Sequence, residues 1–151
     1  MSSLPAVYID YAHTPDSLRA ALTALRSVVS GKLMLVFGCG GERDKSKRPL
    51  MAKTAQELAD ITIVTGDNPR GENPGAIIAD ILAGVDEGAS VKVIPNRREA
   101  IRWAVLNAGA ADTILLAGKG HEKYEITAEG KLPFDEEKIV REAADERLRQ
   151  P

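Results

Sequence analysis

The densest chemistry in the chain is the stretch Thr65-Gly66-Asp67-Asn68-Pro69-Arg70-Gly71. Asp67 offers a carboxylate, Asn68 an amide that both donates and accepts, and Arg70 a planar guanidinium that can grip a carboxylate through two parallel hydrogen bonds. Pro69 stiffens the turn that carries them. An apolar run over residues 61–64 leads in and a helical pattern opening near Asn73-Pro74 leads out, so these groups sit at the mouth of a strand-to-helix turn. In an open α/β sheet that is where ligands bind. Taken alone, the heptapeptide is equally compatible with a capped surface turn whose Asp and Arg are solvated.

Three other stretches, residues 11–15, 38–48 and 118–122, also follow apolar runs and hold most of the remaining unusual polar groups. If the four loops meet, Arg43 and Arg70 can receive carboxylates while Asp67 and Glu122 receive an ammonium, the pattern a zwitterionic amino acid requires. Each stretch has a plainer reading. Gly38-Cys39-Gly40-Gly41 looks like a phosphate cradle, but its spacing fits neither GxGxxG nor GxxxxGK[ST]. Residues 43–48 read as a solvated charged loop unless their place after a central strand gives them a task. His13 and His121 are acid-base candidates or simple loop hydrogen-bonders, and neither has a carboxylate or cysteine at metal-ligand spacing. No metal site is expected. Cys39, at a strand end with no base beside it, reads as inert, and Trp103 as packing.

The elements that must position these groups alternate along the chain. Residues 6–10 form a short strand; Thr14-Pro15-Asp16 then supplies an N-cap, a proline at the first helical position and an acid in the first turn. The helix carries Leu18, Ala21, Leu22, Leu25, Val28 and Val29 on one stripe, and Gly31 is its expected stop. Residues 32–37 are apolar on both faces, as a central parallel strand requires. A second helix is expected over 49–59 with Leu50, Met51, Ala55 and Leu58 inward, a third strand over 61–65, a third helix over 74–85 and a fourth strand over 91–94. Asn96 and Glu99 have the spacing of a capping box for a helix to about 107 that buries Ile101, Ala104 and Val105. A fifth strand covers 113–117. Residues 124–127 alternate in strand fashion, Glu129-Gly130 makes a turn, and Asp135-Glu136-Glu137 opens a last helix. Strands separated by helices of this length mean βαβ units. The expected fold is α/β: a Rossmann-like, mostly parallel sheet of about six strands with helices on both faces and residues 124–127 as an antiparallel edge.

Composition narrows the function classes. A chain of 151 residues with 44% hydrophobic content suits one domain, residues 1–151, with residues 1–4 read as a linker or foreign start. A formal charge of -2 without a basic patch argues against nucleic acid. One cysteine excludes an internal disulfide framework, and no segment has the length of a membrane span or the layout of a signal peptide. A cytoplasmic setting and a small-molecule ligand are expected.

Taken together, Tyr11-Ala12-His13-Thr14-Pro15-Asp16, Phe37-Gly38-Cys39-Gly40-Gly41 with Arg43-Asp44 and Lys47-Arg48-Pro49, Asp67-Asn68-Pro69-Arg70, and Gly118-Lys119-Gly120-His121-Glu122 resemble the C-terminal domain of the Mur ligases. The resemblance runs from about Val7 to the last helix. Asp-Asn-Pro-Arg is similar to the motif of the branch that recognises meso-diaminopimelate, where lysine-adding relatives differ. It implies that the amino acid is held by Arg43, Asp67, Asn68, Arg70, Gly118 and Glu122, and that Asp10 and His13 reach ATP bound mainly elsewhere. The implied reaction joins meso-diaminopimelate to UDP-N-acetylmuramoyl-L-alanyl-D-glutamate through an acyl phosphate, with ATP and Mg2+ held by preceding domains. By the same resemblance this chain has no catalytic residue and no intrinsic cofactor of its own. The family pattern is departed from at Glu42, Ser46 and Gly66, where aspartate, glycine and a second aspartate are common; none of these is an implied ligand contact. The competing expectation is a stand-alone α/β module that binds an amino acid or nucleotide without chemistry.

Overall fold

In the computed structural model, which describes residues 3–150, five strands make one parallel sheet: β1 (Ala6–Asp10), β2 (Leu33–Phe37), β3 (Ile61–Val64), β4 (Val91–Val93) and β5 (Thr113–Ala117), in the order β1-β5-β2-β3-β4. Three strands are flanked on both sides, β5, β2 and β3, and of these β2 and β5 are buried at every position, because LMLVF and TILLA offer almost only apolar side chains to both faces. Leu33, Leu35 and Phe37 point into a core closed by α1 (Pro15–Arg26), α2 (Lys47–Leu58) and α3 (Pro74–Leu82). Met34 and Val36 point the other way, under α4 (Arg97–Asn107) and α5 (Glu136–Arg149). A slip of one residue in β2 would exchange these two sets, so the register is held by both cores. The reading of residues 1–4 as a linker falls partly outside the described residues.

The antiparallel edge strand expected at residues 124–127 is not part of the main sheet. Instead β6 (Tyr124–Thr127) pairs with β7 (Gly130–Pro133) as a separate two-stranded sheet, so the parallel sheet has five strands rather than about six. The reason is that the free edge of β6 is already taken: Ile126 N donates to Asn68 Oδ1 and its carbonyl accepts from Arg70 N. Three local expectations also shift. Helix α1 ends at Arg26 with Ser27 as its cap, leaving Val28 exposed, while Gly31 serves close packing, since a Cβ there would lie 2.5 Å from Asp112 Oδ1. Helix α2 starts at Lys47, two residues before Pro49, because a proline in the first turn needs no N–H; this turns Arg48 inward and leaves Leu50 half exposed. Asn96 does cap α4 through Glu99 N, yet the reciprocal capping box forms at Thr14 and Ser17.

These strand positions create the crevice. Strand β5 lies between β1 and β2, and the chain leaves β2 for the α2 face but leaves β5 for the hairpin and the α5 face. The loops after β1, β2, β3 and β5 therefore open on the carboxyl edge of the sheet around a point where the winding reverses.

Candidate functional site

Arg43, Asp67, Asn68, Arg70, Glu122 and His13 all line one cavity of about 420 Å3 at that edge. The remaining two expected residues stand behind its wall. Asp10 ends β1, where its Oδ2 accepts from Ala12 N and its carbonyl accepts from Gly118 N and Gly120 N. Gly118 has φ 118° and packs so closely that a Cβ would fall 2.5 Å from Asp67 Oδ2. Among the described residues Glu122 has no partner for its carboxylate, and Arg43 uses one guanidinium nitrogen only on the neighbouring Glu42 carbonyl. The cavity thus offers an unengaged anion and at least one largely unengaged cation.

The wall formed by residues 66–72 is rigid for definable reasons. Among the described residues three that are not glycine adopt left-handed backbone, Glu42 (φ 55°), Asn68 (φ 41°) and Arg70 (φ 54°), and all three belong to this wall or its partner loop. Such conformations persist only where the surroundings over-determine them. Here Gly41 N donates to the Asn68 carbonyl at 3.0 Å, and Arg70 Nη1 returns a bond to the Gly41 carbonyl at 3.1 Å. Glu42 N donates to Glu72 Oε1 at 2.9 Å and Gly71 N to Glu42 Oε1 at 3.3 Å. Gly41 permits the contact: a Cβ on it would sit 1.8 Å from the Pro69 carbonyl oxygen.

Three buried cations hold this arrangement from behind, and none was singled out by residue type or spacing. Arg48, fully buried, donates to Glu72, to Asp80 and to the Gly40 carbonyl at 2.7–2.9 Å. Its hydrogen bonds pull Glu72 down to a pKa of about 2, helped by Glu42 N, and the same bonds raise the guanidinium's own pKa against the opposing effect of burial. Arg97 pairs with Glu136 at 2.6 Å and donates to the carbonyls of Ala117 and Gly66, stapling the ends of β5 and β3. Burial alone would lower the Arg97 pKa, but Glu136 and Asp67 more than offset it and the net direction is upward. Lys119, with no exposed surface, stands 2.8 Å from Asn68 Oδ1, 3.2 Å from the Tyr124 carbonyl and 3.1 Å from Asp67 Oδ1. The contact with Asp67 is an ion pair without hydrogen-bond geometry, so Asp67 Oδ1 is left with no hydrogen bond. The one sequence hint for Lys119 is its place between two glycines at the end of a wholly apolar strand.

A second cavity, about 370 Å3, lies across the 65–69 segment against Ile77, Ile78 and Phe134, away from Arg43, Arg70 and Glu122. Cys39 lines it, and burial pushes its thiol up to about 12, which disfavours the reactive thiolate. His121 is exposed and outside both cavities, and among the described residues no three His, Cys, Asp or Glu side chains are grouped to hold a metal ion.

The sequence and fold have known relatives. The family model of the Mur ligase glutamate ligase domain matches residues 2–120. The chain belongs to the Mur ligase family. This Mur ligase domain is 54% identical over 142 residues to the UDP-N-acetylmuramoyl-L-alanyl-D-glutamate--2,6-diaminopimelate ligase of Gloeobacter violaceus, covering 94% of this chain and 29% of that protein. It is 51% identical over 149 residues to the enzyme of the same name from Parasynechococcus marenigrum, covering 99% of this chain and 29% of that protein. A solved structure of a ligase with that name superposes with a TM-score of 0.92 at 40% identity, covering 99% of this chain and 32% of that one. A folylpolyglutamate synthase solved with Mn, AMPPNP and L-glutamate superposes at 0.60 with 21% identity, over 78% of this chain and 27% of that one, a likeness of fold alone. The domain thus spans less than a third of the length of the curated relatives it matches.

Proposed function

We propose that this chain is the C-terminal, amino-acid-binding domain of an ATP-dependent cytoplasmic ligase that adds meso-diaminopimelate to UDP-N-acetylmuramoyl-L-alanyl-D-glutamate in peptidoglycan synthesis. The observation that carries the reading is that donors and an acceptor from three separate loops, Arg43, Asn68 and Arg70 with Glu122, line one cavity with room for an extended amino acid. Arg43 and Arg70 take carboxylates, Glu122 takes an ammonium, and Gly118 keeps the wall behind Asp67 close. The relatives named above, about three times as long, favour this reading over a stand-alone binding module.

On this reading the nucleotide and its magnesium are held mainly by other domains; in the glycine-rich turn the Gly41 N–H is already spent on the Asn68 carbonyl and is not available to a phosphate. ATP would be touched only at the rim. His13 is exposed and lines the cavity, with Nδ1 held by the Tyr11 carbonyl at 3.0 Å and Nε2 without a protein hydrogen bond among the described residues; Asp10 shapes the turn before it. Among the described residues no helix is long and apolar enough to cross a membrane.

Calorimetric titration of the chain with meso-diaminopimelate, L-lysine and ATP tests the proposal. Diaminopimelate should bind, lysine should bind at least roughly thirtyfold more weakly because it lacks the far carboxylate, and ATP should not be hydrolysed. Equal binding of lysine, or turnover of ATP by clean protein, overturns it.

A further inference from the structure

The site contains two residues whose side chains could present either charge or polarity to a ligand, Asp67 and Asn68, and both are engaged from behind by one group, Lys119. Resting on the proposed function, we propose that Lys119 is a positioning residue that fixes Asn68 as a donor toward the cavity and offsets the Asp67 charge, and so sets the site's preference for a second carboxylate over an ammonium.

The chemistry of the partners leaves little freedom. A lysine ammonium can only donate, and a backbone N–H can only donate. Lys119 Nζ at 2.8 Å and Ile126 N at 2.9 Å both approach the same terminal atom of Asn68, so that atom must be the carbonyl oxygen and both its lone pairs are used. The amide cannot flip without setting NH2 against two donors inside a buried wall. Asn68 lines the cavity, and what it retains for a ligand is therefore its NH2. The ammonium is itself held in place, with its third direction toward the Tyr124 carbonyl and the Phe134 ring 5.5 Å from Nζ.

The same cation governs Asp67. That carboxylate is only 8% exposed and lines the cavity beside Asn68. Unpaired, it would repel an incoming carboxylate; paired at 3.1 Å with a fully buried ammonium, and with Arg97 as a further positive neighbour, its charge is met from behind. Asp67 is thus part of the wall, and Glu122 becomes the group that receives an ammonium. One buried lysine converts an Asp-Asn pair, which by type alone could favour either charge, into a surface that favours anions.

Three variants of the chain separate this role from simple packing, each measured by melting temperature and by the affinity ratio of meso-diaminopimelate to L-lysine. Lys119→Met combined with Asp67→Asn removes both charges and so avoids an uncompensated buried carboxylate. It should melt near the unmodified chain yet lose about tenfold or more of the ratio, because only Ile126 N then holds the Asn68 amide one way round. Lys119→Met alone should lose both stability and ratio. Asn68→Asp leaves Lys119 and its acceptor in place but turns the cavity-facing donor into an acceptor, and should lower the ratio at least as much while the chain stays folded. The Asn68 side-chain NH2 signals in nitrogen-15 spectra should lie away from the positions of exposed asparagine amides in the unmodified chain and move toward them in the double variant. If the double variant folds and keeps the unmodified ratio, or Asn68→Asp keeps it, Lys119 does not set the polarity. Should both Lys119 variants fail to fold, Asn68→Asp alone decides in either direction. An unmodified chain that shows no preference for diaminopimelate fails before any variant is made; that overturns the proposed function, and this inference with it.

Discussion

The loop after β3 and the loop after β1 line the same cavity but are held very differently. In the first, Asn68 and Arg70 sit in left-handed backbone, their polar atoms tied to Lys119, Ile126 and Gly41, and Asp67 and Asn68 are each 8% exposed. In the second, Ala12 is held by Asp10 and Thr14 by its capping box with Ser17, but Tyr11 is half exposed and His13 exposed, with a 3.0 Å contact of His13 to the Tyr11 carbonyl, an edge contact of their rings and Lys47 Nζ on the His13 carbonyl at 2.9 Å. A site that must tell one carboxylate from none gains from groups ordered before the ligand arrives, since no rotamers remain to be frozen. On the proposed function, a rim that meets a nucleotide carried mainly elsewhere gains from groups left free to adjust.

The largest test of this contrast is Arg70→Ala. Loss of a charged partner from the ordered wall should weaken meso-diaminopimelate binding by on the order of 2–5 kcal/mol, roughly thirtyfold to several thousandfold, with much less effect on lysine. Arg70→Lys should recover little, because an ammonium cannot both hold the Gly41 carbonyl and present a planar fork. Unchanged discrimination in calorimetry would reduce Arg70 to a turn residue. Next in size, Gly41→Ala forces apart two loops that meet at the Pro69 carbonyl and should cost about 1–3 kcal/mol in urea unfolding, with weaker ligand binding. A neutral result would mean the wall is softer than its hydrogen bonds suggest.

Acid sharpens the contrast further. Because Arg48 holds the Glu72 pKa at about 2, below the ordinary glutamate value, the pairing contributes fully above the unfolded-state pKa of about 4.3 and is lost as pH falls toward the folded value. Glu72→Gln should therefore be less stable than the unmodified chain at neutral pH, and the two stability curves should converge between about pH 4.3 and 2. Parallel curves would show that Glu72 does not titrate with folding. The smallest effect is expected on the opposite wall: His13→Ala should change stability by no more than about 0.5 kcal/mol and leave diaminopimelate affinity unaltered. A loss comparable to that of Arg70→Ala would erase the distinction between the two walls.

Much of this molecule is legible in its sequence, and the parts that are not share a cause. Strand ends, and with them the four site loops, follow from apolar runs that stop at glycine or at a polar cluster; all five parallel strands lie where alternation with helices places them. Helix edges are less legible. Val28 and Leu50 continue an apolar spacing yet are exposed, because burial depends on whether a neighbouring element covers that turn. Residues 124–127 are legible as a strand and 129–130 as a turn, but β7 is not, nor is the separation of the hairpin from the main sheet, since the free edge of β6 is claimed by a side chain and a backbone N–H from residues 68 and 70.

What the amino-acid order determined by itself was the α/β alternation, the carboxyl-edge placement of the loops and the residue types available there. These rest on interactions between near neighbours: 3.6- and 2-residue periodicities, caps, and prolines and glycines at turns. What only the tertiary structure decided was the electrical sense of the site. Arg48 meets Glu72 and Asp80 across 24 and 32 positions, Arg97 meets Glu136 across 39, and Lys119 meets Asn68 across 51. In sequence each is one basic residue among 20. Folding takes these three out of water and opposite specific oxygens, and a cation there acts on its neighbours far more strongly than it would in solvent, so its influence on Asp67, Asn68 and Glu72 exists only once the chain has closed around it.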